Sequence, residues 1–307
     1  MLEIIKNPGI DFVGKRKIAY FFTGALLIAG IYAVVLMGTG RADLGLDFTG
    51  GSSVQVKVER DLKVSEIRQA MSDAGFKKVT IQQIGSDTSS EFLIRIGVLD
   101  AETGKASSAV EAALEKHTGA PVEVLGTSEI GPMVSQQLKE KAMLAVFWAV
   151  IGILVYIWIR FQFKFAVAAT LTTFHDAFVV LGIMVLMGRE IDLLVITGLL
   201  TIAGYSLTDT VVVFDRIREN MRKILKMPFD KIVNDSINET LSRTIMTSLT
   251  TMLVVASLYF LGGNVLNGFA LTLMLGIIIG SYSSVFVASP LIVEWDHFEK
   301  KNKAAVK

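Results

Sequence analysis

The sequence contains no cysteine in 307 residues, which excludes disulfides and thiolate metal sites. It has no surplus of one charge either: 30 lysines and arginines stand against 29 aspartates and glutamates. That balance names no partner, because the two signs are sorted by position along the chain. Also missing are a GxxxxGK[ST] phosphate loop, an H-E-x-x-H metal helix and any Ser or Cys nucleophile motif. There is no low-complexity tract and no internal repeat. Local motifs therefore give no support to phosphate cradling, zinc-dependent hydrolysis or covalent catalysis; the expectation is no catalytic residue, no metal and no cofactor.

What the chain has is long apolar runs. Hydrophobic residues make up 52% of it, and mean hydropathy is +0.54. Six blocks stand out: Ile18–Met37, Ala142–Ile159, Phe165–Met187, Leu193–Phe214, Thr244–Leu261 and Phe269–Val293. Each suits a hydrocarbon core of about 30 Å at about 1.5 Å per helical residue. The expected fold is a polytopic α-helical membrane protein with six transmembrane helices. The first block follows Lys15-Arg16-Lys17 as a signal peptide would, but it is longer than a typical h-region and no A-x-A-like site follows. It reads as an uncleaved span.

Positive charge sets the expected orientation. Lys6, Lys15–Lys17, Arg160, Lys164, the run from Arg216 to Lys231 and the final lysines fall on one side, whereas the opposite short loops carry only Arg189. By the positive-inside rule both termini are cytoplasmic, and an even number of spans gives the same parity. Residues 1–40 then form the N-terminus and first helix, 41–140 an extracytoplasmic domain, 141–295 helices two to six with a cytoplasmic loop at 215–240, and 296–307 a basic tail.

Residues 41–140 alone have soluble composition. Ser53–Glu59, Lys78–Ile84, Glu91–Val98 and Pro121–Glu129 read as strands, and Val64–Ala74 and Thr103–Thr118 as helices. This β-α-β-β-α-β order is that of an α+β ferredoxin-like domain, an architecture that implies no activity by itself. The basic stretch after Phe214, broken at Pro228, reads as an amphipathic helix along the membrane face. The sequon at Asn238 carries no expected meaning on that side.

Asp209 is the costliest residue in the apolar blocks. A carboxylate in hydrocarbon costs roughly 2.5–3.5 kcal/mol on insertion scales, so its default reading is a functional site. Thr197, Thr201, Tyr205 and Thr208/Asp209 recur at helical spacing, as do Thr240, Arg243, Thr247 and Thr251. Two facing stripes would line a hydrated path. Burial and a nearby Arg243 act on the aspartate's proton in opposite senses, which leaves two readings open: a static ion pair, or a proton-sensitive switch. His175 and Asp176 read as a structural pair, a supporting relay or direct proton carriers, with intramembrane catalysis the remaining alternative. Gly268, Thr272, Gly276, Gly280 and Ser284 form a small-residue face, either a packing seam or a sliding surface, and Pro290 is expected to bend or end that helix. Asp47, Gly50 and Gly51 mark a tight turn from membrane into sheet.

Four stretches carry a family resemblance: Gly45-Leu-Asp-Phe-Thr-Gly-Gly51, Thr172-Thr-Phe-His-Asp176, the run from Ile202 to Glu219, and Asn238–Thr251 with Gly280–Ser284. Together they resemble the SecD/SecF family of protein-export membrane proteins, within the resistance–nodulation–division superfamily. The resemblance implies a subunit of the bacterial cytoplasmic (inner) membrane that uses the proton motive force to promote preprotein translocation, not an enzyme. It implies protons as the coupling ion, a relay of Asp209, Arg243 and Thr247, and as partners a SecD-like subunit, the SecYEG translocon, YidC and YajC. A small-molecule exporter half and a purely structural translocon subunit are the alternatives.

Overall fold

The computed structural model describes residues 8–60, 62–76, 79–84, 90–97, 105–224 and 226–305. Lys6 and Lys307, the element ends expected at Lys78, Val98 and Thr103, and most of the turn after Ile84 lie outside the described residues. The chain divides into two compact units: Leu44–Leu144, and the residues on either side of it.

In the first unit, α2 (Leu46–Thr49) leads into β1 (Gly51–Val58), α3 (Val64–Asp73), β2 (Val79–Ile84), β3 (Glu91–Ile96), α4 (Ala106–Thr118) and β4 (Val122–Ile130). The four strands form one antiparallel sheet in the order β2-β3-β1-β4. Alternation explains its core. Val54 lies opposite Ile94 and Val56 opposite Phe92, and all four are fully buried with Ile67 and Met71 of α3 and Val110 and Leu114 of α4. The helices start and stop on local chemistry. Glu66 accepts from the Lys63 backbone N–H at 2.9 Å, and Gly119 ends α4 in the left-handed conformation. At Gln55/Val56 the register with β4 shifts, leaving Leu125 bulged.

The second unit is helical: α1 (Arg16–Gly38), α5 (Pro132–Arg160, which begins in the first unit), α6 (Phe163–Leu186), α7 (Leu193–Lys223), α8 (Phe229–Leu261), α9 (Gly263–Ser283) and α10 (Ser289–Ala305). Among the described residues six helical stretches are long and apolar enough to cross a membrane, α9 and α10 counting as one. The chain is a multi-pass membrane protein.

One expectation changes and another narrows. The basic stretch after Phe214 does not lie apart as a surface helix. α7 runs on to Lys223, and α8 begins at Phe229 directly after Pro228. The reason is that Arg216, Glu219 and Lys223 pair with each other at helical spacing, and Arg216 reaches Glu239 on α8 at 2.5 Å. Of the two outcomes expected at Pro290, a bend or an end, the helix does not end there. The turns widen to a π-helix at Ser284–Ala288 just before it, and the Ser289 hydroxyl donates to the Ser284 carbonyl at 2.9 Å. A wide turn with a side-chain donor accommodates a ring that supplies no N–H.

Candidate functional site

Asp209 lies on α7, only 7% exposed. Thr244 of α8 donates to its Oδ1 at 3.2 Å. Its Oδ2 is buried and has no hydrogen-bond partner among the described residues. Arg243 acts on Asp209 through charge, but no ion pair within 4.0 Å joins the two. Arg243 and Thr247 sit on an exposed face of α8, and the Thr247 hydroxyl donates to the carbonyls of Arg243 and Thr244, both at 3.0 Å. Sequence spacing alone does not find Thr244, which lies beside Arg243 but points one helical step around the cylinder.

The threonines of α7 share that fate. Thr197, Thr201 and Thr208 are exposed, and each hydroxyl is satisfied by the carbonyl four residues back at 2.8 to 3.0 Å. Like Arg243, Thr247 and Thr250 on α8, they are polar residues left exposed on helices long and apolar enough to cross a membrane. Polar surface facing hydrocarbon is costly, so these residues have the composition of an interface or of the wall of a water path.

A second polar cluster is fully enclosed. Asp176 of α6 is 0% exposed and His175 5%. The His175 Nδ1 is 2.9 Å from Asp176 Oδ1, while Ser206 of α7 and Ser283 of α9 both donate to Asp176 Oδ2, at 2.5 and 2.7 Å. Each serine bonds the carboxylate and neither bonds the imidazole, so His175 is not placed as a base for either serine hydroxyl. The two serines lie within motifs of the sequence analysis; only the fold shows that they meet at Asp176.

The small-residue face of α9 packs on α7. Gly268 approaches Val195, with a Cβ placed on it 3.5 Å from that side chain. A Cβ on Gly276 would run into Ile202, and one on Gly280 would be 2.9 Å from Ser206 Cβ. The Asp176–Ser206 contact therefore depends on Gly280. An equally close crossing, not singled out in the sequence, joins α1 to α6. A Cβ on Gly182 would be 2.7 Å from the Gly30 nitrogen.

At the start of β1, Gly50 and Gly51 have φ of +66° and +120°. A Cβ on Gly51 would collide with the Ile96 carbonyl of β3. Asp47 lies in the short helix α2 just before them. At the basic end of the helical unit, Asn238 accepts from the Ile10 N–H and donates to its carbonyl, both at 2.9 Å, and Asn234 accepts from Phe12 and Val13. The segment before α1 is thereby fastened to α8, which gives the Asn238 side chain a structural role.

Known proteins match along nearly the whole chain. The family described as Protein export membrane protein SecD/SecF, C-terminal, matches residues 109–297, and the SecD/SecF GG Motif matches residues 35–61. The protein translocase subunit SecF of Thermodesulfovibrio yellowstonii is 44% identical over 296 residues, covering 95% of this chain and 97% of that one. The corresponding subunit of Desulfurispirillum indicum is 44% identical, covering 93% and 91%. The crystal structure of SecDF, a translocon-associated membrane protein from Thermus thermophilus, superposes with a TM-score of 0.83 at 35% identity. The superposition covers 97% of this chain but only 40% of that one. The chain belongs to the SecD/SecF family of protein-export membrane proteins, among its SecF-type protein translocase subunits.

Proposed function

We propose that this subunit couples proton movement to preprotein translocation through Asp209, with Arg243 and Thr247 completing the relay. The observation that carries the reading is the pairing of a half-satisfied buried carboxylate with exposed polar residues on α7 and α8. Asp209 Oδ2 has no partner among the described residues, and Arg243 is exposed one residue from the threonine that holds Oδ1. A protonated Asp209 is neutral and a deprotonated one attracts Arg243, so proton binding and release change the force between α7 and α8. One proton crossing 100 mV supplies about 2.3 kcal/mol, enough to bias such a helix pair.

The exposed polar residues of α7 and α8 meet a SecD-like second half. The matching SecDF structure is a longer chain of which this one spans about two fifths, which supports a partner of that kind. Within the cytoplasmic membrane, with both termini cytoplasmic, the assembly works beside the SecYEG translocon, YidC and YajC. The sheet unit is then a ferredoxin-like domain on the far side, as its strand order β2-β3-β1-β4 supports. Helix shifts started at Asp209 reposition it.

The test is Asp209→Asn in inverted membrane vesicles that hold the SecD-like partner. Expected are normal assembly and loss of the export stimulation driven by the proton motive force. Retained stimulation sinks the relay, and lost assembly favours a structural subunit.

A further inference from the structure

The Asp209 site leaves unused the most enclosed carboxylate in the helical unit. Asp176 is 0% exposed, with partners on three helices: His175 beside it on α6, Ser206 on α7 and Ser283 on α9. Among the described residues His175 is the only titratable group acting on it, since α7 and α9 present hydroxyls alone. The His175 Nε2 is also buried and has no hydrogen-bond partner among the described residues.

We propose that His175 and Asp176 form a second proton-binding site, holding one exchangeable proton between an imidazole and a carboxylate that ties α6 to α7 and α9. The proton count follows from the atoms. With the carboxylate ionised and a neutral imidazole donating from Nδ1, the pair carries one negative charge and Nε2 is a bare lone pair. One added proton brings the pair to zero: it binds Nε2, and the Nδ1 proton either stays, giving an imidazolium beside a carboxylate, or passes to Oδ1, which then donates to Nδ1 of a neutral imidazole. A bare, buried Nε2 is an open position for that proton, and an enclosed site bears a neutral pair at lower cost than an isolated anion.

Two further features give the proton a mechanical outlet. Ser206 precedes Asp209 by one turn of α7, so whatever loosens Ser206 acts on the helix that carries Asp209. Ser283 directly precedes the π-helix at Ser284–Ala288, a kind of turn that occurs often at functional sites. Hydrogen bonds to an ionised carboxylate are roughly twice as strong as bonds to a neutral one. Protonation therefore weakens the hold of Asp176 on Ser206 and Ser283 together. What the cell does with this proton rests on the proton-coupled reading of Asp209; the presence of the site does not.

The experiment is pH-difference infrared spectroscopy of the full chain in lipid nanodiscs, read in the carboxylic-acid C=O region. It is run on Asp209→Asn, so that no signal comes from that residue. Expected is a buried carboxyl band that responds to pH and disappears on adding Asp176→Asn. If Asp176→Asn does not fold, Ser283→Ala on the Asp209→Asn background decides. It leaves the carboxylate in place and moves the band to higher frequency, because the carbonyl loses a donor. No pH-dependent carboxyl or imidazole signal, or a band unmoved by both changes, overturns the proposal. Export by the Asp209→Asn protein in vesicles reports separately on the first site, so each can fail alone.

Discussion

Thr244 holds Asp209 across the α7–α8 boundary with a 3.2 Å hydrogen bond, and it follows in sequence directly on Arg243, whose side chain points elsewhere. The residue that fixes the carboxylate and the residue that answers its charge are thus neighbours on one helix with different tasks. Thr244 is buried and bonds the carboxylate; Arg243 is exposed and acts on it through charge.

Thr244→Val tests the first task. It removes the donor to Oδ1 and keeps the shape, leaving a buried acceptor unmet at a cost of about 1–3 kcal/mol. The expected outcome is a lower unfolding temperature in detergent and a displaced pH profile of proton-driven export, with Thr244→Ser close to wild type. A Thr247→Val protein, whose hydroxyl bonds only its own helix, keeps its unfolding temperature.

Gly276→Ala tests the α7–α9 seam. The added methyl meets the Ile202 side chain, and overpacking of this kind costs about 1–3 kcal/mol. Ile202→Val on the same protein relieves part of it, giving a favourable coupling in a double-mutant cycle of unfolding. Gly268→Ala has ordinary contact distance to Val195, so it is neutral or gains up to about 1 kcal/mol in helix propensity. Equal destabilisation by both alanines would show that the seam is not set by close approach.

Gly51→Ala tests the turn into the sheet. At φ of +120° an L side chain is strained by about 1–3 kcal/mol, and here the methyl also meets the Ile96 carbonyl. Limited proteolysis is expected to cut the sheet unit faster at the β1–β3 end. Gly50→Ala, at φ of 66° and ψ of 174°, also falls in a region essentially restricted to glycine and costs a similar amount, about 1–3 kcal/mol.

The parts legible in the sequence are those set by period and by single residues. Apolar run length marked the spanning helices, alternation marked Ser53–Glu59 as a strand, and an isolated charge marked Asp209. Helix rotation was not legible. The stripe read as Thr240, Arg243, Thr247 and Thr251 is split by packing: Thr240 is buried, as Thr244 is, whereas Arg243 and Thr247 are exposed. The Asp176 cluster was hidden for a related reason. Its donors, Ser206 and Ser283, are 30 and 107 residues away, and serine carries no periodic signal. Helix ends were misread at Phe214 because a change from apolar to charged residues marks the edge of hydrocarbon, not the end of hydrogen bonding. At Pro290 a π-turn absorbed the missing donor.

Arg243 is the residue whose effect depends most on company. It is exposed on α8 and has no salt bridge within 4.0 Å among the described residues, so within the chain alone it acts on Asp209 only through charge at longer range. Substitutions at surface positions without partners usually change stability by no more than about 0.5 kcal/mol. Arg243→Ala in the isolated subunit is accordingly expected to unfold at the wild-type temperature. In the assembled translocase the same position stands at membrane depth, where a guanidinium is retained only if a carboxylate or water path meets it. There the substitution removes the charge that answers Asp209, and proton-driven export is lost. Arg243→Lys does not rescue it fully, because a point charge lacks the planar fork that engages a carboxylate through two bonds. The comparison is made by measuring unfolding of the subunit alone and export with its partner in parallel. A destabilised subunit would place Arg243 in the fold, whereas a stable subunit with lost export places it in the coupling.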